Sequence, residues 1–514
     1  MVDYTAIIES WFNEIGASGQ NVADHNSVTA ADFTNALHYT NMVWGASTKI
    51  GCGYARGTCF MGGNSLTCQY SIKGNTPGSP VFTTGTVCSA CSGTCTNGTE
   101  HYKLVVVGGG TAGVAMTNKF APKLGKGNVA VIEPSEVHYF QGTWTLIGGG
   151  LKPYSICSKE EGKLLNKNCV WIKDVVGQFL PDTNQLLTLG GKQISYEFMI
   201  LCSGLQVRFE LIKGLPEAFD TPGVCSDYHK EYVKKSFPAI QETDSGNAIF
   251  TFPNTPVKCA GAAQKIMYMA EERFREAGKR DKINVIFNTA AAQMFGVPQY
   301  NERLEKIAQE REIQVNTRTN LVELNPDRKE AVFDLLEPAS NKVIGQKTFE
   351  YSMIHITPPC SPIEPLRVCP QLTDQDGWVS VNKETLQHTR YSNVFGMGDC
   401  ANLPTSKTAA AIAEQCGIVR KNLEDVMAGK NPSATYNGYT SCPLVTGLNK
   451  CMLAEFGYDN QLLETFPVDQ RVPRRLMMIV KRDLMAYLYW YGLLAGWFEG
   501  PGPIRRACHL WMKQ

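Results

Sequence analysis

Two cysteines stand where an α/β chain would present them to chemistry. Cys259 lies in "FPNTPVKCAGAAQK", between an apolar run, "NAIFTF", that predicts a buried strand, and a helical pattern, "AGAAQKIMYMAEERF". In a nucleotide-binding α/β protein a glycine loop at such a junction would cradle a pyrophosphate. Here the junction holds a lysine and a thiol. A cysteine at a helix N-terminus beside Lys258 is expected to ionise readily, because dipole and cation both favour the thiolate. Cys400 directly follows Gly398-Asp399 in "NVFGMGDCANLPTSKTAAA", roughly 140 residues later. The expectation is a redox pair, a disulfide that a small thiolate-like nucleophile opens, leaving one sulfur persulfidated and the other free to donate electrons. Two buried, inert cysteines are the alternative.

Such a pair needs an electron-accepting cofactor, and the flanking elements supply one. "YKLVVVGGGTAGVAMTNKF" reads as a strand, a G-x-G-x-x-G turn (Gly108, Gly110, Gly113) and a helix, and Glu133 ends the next strand in "VAVIEP". Together they make the full dinucleotide fingerprint: Gly110 admits a pyrophosphate, the helix N-terminus favours its charge, and Glu133 accepts from ribose hydroxyls. The fingerprint does not separate NAD from FAD. "YSNVFGMGDCANLPTSKTAAAIAEQ" reads as a strand, Gly398-Asp399 and a helix starting near Thr405. In two-dinucleotide flavoproteins a late Gly-Asp pair closes the FAD site, with Asp399 on ribityl oxygens. The helix start and Lys407 would face the flavin edge that gains negative charge on reduction. FAD is the economical cofactor. A second α/β pattern, "KINVIFNTAAAQMFG", implies an inserted domain with only Gly261 near its junction, so NADH is not expected as donor.

The 514 residues exceed one ordinary core, and a formal charge of +1 offers no global field for nucleic acid. Six of the 18 cysteines (Cys52, Cys59, Cys68, Cys88, Cys91, Cys95) crowd into the first hundred residues, as in a small oxidised module. The start, "MVDYTAIIES", has neither the apolar core of a signal peptide nor the early arginine of a transit peptide. An amphipathic helical pattern around Tyr4–Ile15 precedes "HYTNMVWGASTKIGCGYA", "CQYSIKGNTPG" and "VCSACSGTC". These stretches resemble the second half of a cysteine-rich secretory, antigen 5 and pathogenesis-related (CAP) domain, an α+β fold. The resemblance implies a cleft of two histidines and two glutamates. His38 and Glu14 match one of each, so no metal site is expected where closed sites take four ligands. Cys88-x-x-Cys91 reads as a disulfide-hinge remnant rather than zinc, and Asn97-Gly98-Thr99 as a chance sequon.

From His101 onward, "EPSEVHYFQGTWTLIGGG", "GNAIFTFPNTPVKCAGAAQKIMY", "NVFGMGDCANLPTSKTAAA" and "YNGYTSCPLVTG" resemble the eukaryotic type of sulfide:quinone oxidoreductase. The resemblance implies FAD, hydrogen sulfide as donor and ubiquinone as acceptor. It matches Cys259 to the thiol engaging the flavin and Cys400 to the one holding sulfane sulfur for glutathione or sulfite. It also implies a mitochondrial inner-membrane protein on the matrix side. Two departures stand out. Gly142 replaces a usual proline, suggesting a looser flavin-facing loop. Cys225 has no counterpart in typical animal relatives; it is either a third sulfur relay or a loop cysteine without consequence. The expected fold is a tandem Rossmann-like, two-dinucleotide-binding-domain flavoprotein. Its parts are a partial CAP-like fragment (1–100), FAD-binding segments (101–215 and 355–425), a second Rossmann-like domain (216–354) and a C-terminal quinone and membrane region (426–514).

A reductase of lipid-dissolved quinone must touch the bilayer. "LMAYLYWYGLLAGWF", flanked by "RVPRRLMMIVKRD" and "IRRACHLWMK", spans only about 22 Å as a helix, short of the roughly 30 Å hydrocarbon core. It is expected to lie in the interface, with Thr357-Pro358-Pro359 shaping the quinone path by analogy. The competing readings are an NADH:quinone oxidoreductase and a secreted CAP-type binding module joined to an idle flavoprotein.

Overall fold

The computed structural model describes residues 50–56, 64–70 and 99–510. The chain divides into two compact units, Met1–Asn97 and Gly98–Gln514. In the first, strands Ile50–Arg56 and Asn64–Tyr70 pair antiparallel with Cys52 opposite Cys68. The expected helix near Tyr4, Glu14, His38, Cys59, Cys88, Cys91, Cys95 and the Asn97 sequon lie outside the described residues.

The second unit is built on two largely parallel sheets, the first extended by an antiparallel pair, Val176–Leu180 and Gln185–Thr188. The first orders Val170–Ile172, Val129–Ile132, Glu100–Val107 and Gln193–Leu201, all parallel, and Val394–Gly396 joins Gln193–Leu201 from far along the chain. Leu104, Val105, Val106 and Val107 are all buried, as a parallel strand covered on both faces requires. The helices Thr111–Leu124 and Ala409–Met427 pack together, so both ends of the predicted FAD fold share one core. The second helix begins at Ala409 rather than near Thr405, because the Thr408 hydroxyl caps it by accepting from the Ala411 amide at 3.1 Å.

The second sheet orders Val224–Cys225, Met353–His355, Gly246–Phe252, Ile283–Thr289 and Gln314–Asn316, all parallel. The strand Gly246–Phe252 and helix Ala262–Glu276 bracket the Cys259 junction, as the hydrophobic pattern predicts. An antiparallel pair, Thr440–Val445 with Cys451–Phe456, packs on that helix and shares its core. This packing, which no local pattern announces, brings a third chain segment to the junction.

Near the C-terminus a continuous helical stretch runs from Arg475 to Leu493 through two wide π-turns, Val480–Leu484 and Tyr489–Leu493, and a separate helix covers Gly502–Leu510. Among the described residues no helix is long and apolar enough to cross a membrane. The stretch is two-sided. Tyr489, Trp490 and Leu493 are buried, while Leu484, Tyr487, Tyr491 and Trp497 are exposed.

Candidate active site

The glycine turn has the shape that the fingerprint requires. Gly108 sits at φ +101°, and a Cβ on Gly113 would fall 1.7 Å from the Gly108 carbonyl oxygen, so only glycine allows the helix this close. Gly110 instead opens onto free space, with nothing within 4 Å of where a side chain would start. The Glu133 carboxylate accepts from the Gly109 amide at 2.7 Å and the Ser135 amide at 2.8 Å, which fixes it beside the turn. Ser203, adjoining Gly108, keeps a buried hydroxyl without a protein partner. A cradle free at Gly110 and an orphaned hydroxyl beside it fit a dinucleotide such as FAD.

At the other end, Gly398 takes φ +72° and starts the tight turn Gly398–Cys400. Burial raises the Asp399 pKa against the pull of Lys407. The Lys407 ammonium donates to the carbonyls of Asp399 at 2.7 Å and Ala401 at 3.0 Å and lies 4.0 Å from the Trp378 ring centroid. It fastens this turn.

The expected Cys259–Cys400 pair is not formed. Cys400 is fully buried, its sulfur directed to the carbonyls of Leu201 and Met397, each at 3.3 Å. The turn that presents Asp399 sends the next side chain back between the strands, into the core with Cys202 and Cys416. Burial pushes its thiol up to about 11. Cys400 is a core cysteine.

Cys259 meets Cys442 instead. Its junction folds against the Lys407 segment, with its amide donating to the Lys407 carbonyl at 2.9 Å and the Ala262 amide returning to its own carbonyl. Cys259 adopts φ +51°, a left-handed conformation that is unfavourable for a non-glycine residue and common where structure is held for function. Cys442 is buried on the strand Thr440–Val445 and its thiol hydrogen-bonds to the Cys259 sulfur. Gly261 explains the closeness. A Cβ there would sit 2.7 Å from the Cys442 sulfur, so this glycine makes room for a thiol rather than a phosphate.

Two lysines complete the site. Lys265, buried on the helix Ala262–Glu276, brings its ammonium to 3.1 Å from the Cys259 sulfur. Lys258, the cation expected from sequence, turns away to the Gln141 side chain at 2.5 Å. The hydrogen bond from Cys442 holds Cys259 well below the usual thiol range. Burial opposes this, and Lys265 adds to it. The same bond and burial push Cys442 far up. Burial disfavours charge on Lys265, but the two sulfurs outweigh it and raise its pKa. Lys481, on the first π-turn, donates to the Gly142 carbonyl at 2.8 Å, and burial with Lys265 brings its pKa down to about 8. That bond pins the Gln141–Thr143 turn, which Thr143 also ties to the Phe140 carbonyl at 2.7 Å, so the loop at Gly142 is braced rather than loose. Cys225 is buried in the second sheet, its thiol toward the Ile354 carbonyl.

Sequence reasoning missed Cys442, Lys265 and Lys481. Cys442 stands in "YTSCPLVTG", one of the stretches that carry the family resemblance, and Lys265 is a lone cation on an apolar helix face.

Comparison with known proteins agrees with this fold. Residues 102–415 match the family "Pyridine nucleotide-disulphide oxidoreductase", and residues 2–70 match the "Cysteine-rich secretory protein family". The mitochondrial sulfide:quinone oxidoreductase of Mus musculus is 47% identical over 422 residues, covering 82% of this chain and 92% of that protein. The Dictyostelium discoideum enzyme of the same name is 42% identical, covering 77% and 87%. The crystal structure of the sulfide:quinone oxidoreductase from Aquifex aeolicus superposes with a TM-score of 0.66 at 18% identity, over 81% of this chain and 96% of that one, and shows the shared fold. At the N-terminus, the venom allergen 5 of Brachyponera chinensis is 35% identical over 82 residues but is matched over only 39% of its length. Beyond that partial segment, the chain belongs to the sulfide:quinone oxidoreductases, FAD-dependent oxidoreductases.

Proposed function

We propose that this chain oxidises sulfide at a Cys259–Cys442 disulfide and passes two electrons to a membrane quinone. The observation that carries the reading is the meeting of Cys259 and Cys442 over Gly261, with the Lys265 ammonium 3.1 Å from the Cys259 sulfur; the Cys442 hydrogen bond and Lys265 favour Cys259 as the thiolate. A disulfide is cleaved most readily when the sulfur that leaves is the better-stabilised thiolate. Hydrosulfide therefore attacks the Cys442 sulfur. The S–S bond breaks, Cys442 carries the added sulfur as a persulfide, and Cys259 departs with the electron pair as a thiolate held by Lys265. A nucleophilic acceptor such as glutathione or sulfite takes the outer sulfur and frees the Cys442 thiolate. Re-forming the disulfide releases two electrons. FAD, held by the Gly108–Gly113 turn, Glu133 and the Gly398–Asp399 turn, supplies the two-electron acceptor and the link to quinone. Cys259 is half-buried and Cys442 buried, so the closed disulfide is open to a small anion, whereas a larger acceptor needs to reach only the added outer sulfur.

The donor assignment is tested by adding sulfide, then separately NADH, to anaerobic enzyme and following flavin absorbance. Sulfide alone is expected to bleach it. Bleaching by NADH in place of sulfide would overturn the reading.

The quinone is reached from the membrane surface. Leu484, Tyr487, Tyr491 and Trp497 point outward from the C-terminal segment near Arg475 and Arg482, an amphipathic face suited to lying in an anionic interface. The names of the relatives point to a mitochondrial location; we place the enzyme on the matrix face of the inner membrane. Tyr487→Ser with Trp497→Ser is expected to weaken partitioning onto anionic vesicles by at least about tenfold. Reduction of the flavin by sulfide in detergent should persist. Unchanged vesicle binding would remove this face from the account.

A further inference from the structure

The C-terminal helical stretch also reaches the FAD turn, through a buried polar chain that the sulfur chemistry does not use. Tyr489 opens the second π-turn, a wide turn of the kind that concentrates at functional sites. Its ring stacks on Phe140, centroids 3.8 Å apart, and is buried although Tyr487 and Tyr491 face outward. Its hydroxyl lies 2.7 Å from His138 Nε2 and 2.9 Å from the Thr111 hydroxyl. His138 Nδ1 faces two acceptors, the Gly109 carbonyl at 3.2 Å and Glu161 Oε2 at 3.0 Å.

A neutral ring with its hydrogen on Nδ1 donates to the Gly109 carbonyl and an ionised Glu161; Nε2 then accepts from Tyr489, and the Tyr489 oxygen accepts from Thr111. The chain ends on the two residues that flank Gly110. Thr111 opens the helix whose free N–H groups face the pyrophosphate position. The Gly109–Gly110 peptide is planar and trans, so a carbonyl held at His138 turns the Gly110 N–H the opposite way.

We propose that Tyr489, acting through His138 and Thr111, is a positioning residue for FAD: it locks the phosphate-binding turn from behind, so that cofactor affinity depends on the seating of the C-terminal helix. The proposal rests on the FAD assignment and is independent of the sulfide and membrane readings.

Tyr489→Phe keeps the ring stack and removes only the hydroxyl. It leaves His138 Nε2 buried and unpaired and deprives the half-buried Thr111 hydroxyl of its partner, and FAD is expected to bind about tenfold more weakly. The measurement is flavin fluorescence on titrating FAD into apo-protein in detergent, alongside melting of apo- and FAD-loaded forms. A loss of packing alone would lower both melting temperatures equally. The proposal requires the rise on loading with FAD to shrink, and saturating FAD to restore the wild-type rate of flavin reduction per bound flavin. Thr111→Val, which cuts the far end of the chain, should weaken FAD binding similarly, and the double variant should add little. Wild-type FAD affinity in Tyr489→Phe, or an equal fall of both melting temperatures, would overturn the proposal.

Discussion

Cys442→Ser is expected to slow the reduction of the flavin by sulfide by a factor on the order of 10³ or more, with FAD still bound. Cys259→Ser should do the same, because a disulfide needs both sulfurs and loss of either removes the whole route rather than half of it. The informative contrast is Cys400→Ser. Its sulfur is packed against the Leu201 and Met397 carbonyls, so this change touches folding but not sulfur transfer, and rapid reduction should survive in the folded variant. Stopped-flow absorbance under anaerobic conditions separates the cases. A Cys400→Ser enzyme that keeps its flavin but is not reduced by sulfide would return that residue to the mechanism.

The second large effect is on pH. Lys265→Met removes the ammonium 3.1 Å from the Cys259 sulfur, and the thiol pKa is expected to rise toward the ordinary thiol range. The acid limb of the profile of flavin reduction by sulfide against pH should move upward by the same amount. Lys481, at about 8, loses its charge as pH rises through that value, giving the wild-type enzyme a basic limb that Lys481→Met removes. The stability of the reduced enzyme, in which both thiols are free, carries matching signs. The Cys259 pKa is depressed, so its contribution is present above the unfolded thiol value of about 8.5 and falls away as pH drops through the folded value. The Lys265 pKa is raised, so its contribution is present below the unfolded lysine value of about 10.4 and is lost as pH climbs through the folded one. Lys265→Met should flatten both dependences. An unmoved acid limb would mean that Lys265 does not set the thiolate.

The local elements could be read from the chain because their signals are local. The run Leu104–Val107 before G-x-G-x-x-G, Glu133 at the next strand end and the apolar "NAIFTF" each fix an element within a few residues, and each stands where expected. The sulfur partner was not legible in that way. Cys400 stood beside a recognisable flavin turn, but the direction of its side chain depends on how Gly398–Cys400 bends after the strand. Cys442 lies on an antiparallel pair whose packing against the helix Ala262–Glu276 is a tertiary event without periodic trace. Gly261 holds the clue: as the one glycine near the junction it argues against a second pyrophosphate loop, and its missing side chain makes space for the second sulfur. Lys258 and Lys265 show the same limit, since adjacency in sequence favoured the wrong lysine and helical geometry delivered the right one.

The pairing of sulfurs can be seen directly. Oxidised enzyme is alkylated under denaturing, non-reducing conditions, digested, and its peptides are mapped by mass spectrometry before and after reduction. Among the cysteines from Cys157 onward, the account predicts one peptide cross-link, between the fragments that carry Cys259 and Cys442, with Cys400 recovered alkylated. A cross-link between Cys259 and Cys400 would contradict it, as would recovery of Cys442 as a free, alkylated thiol from enzyme that sulfide still reduces.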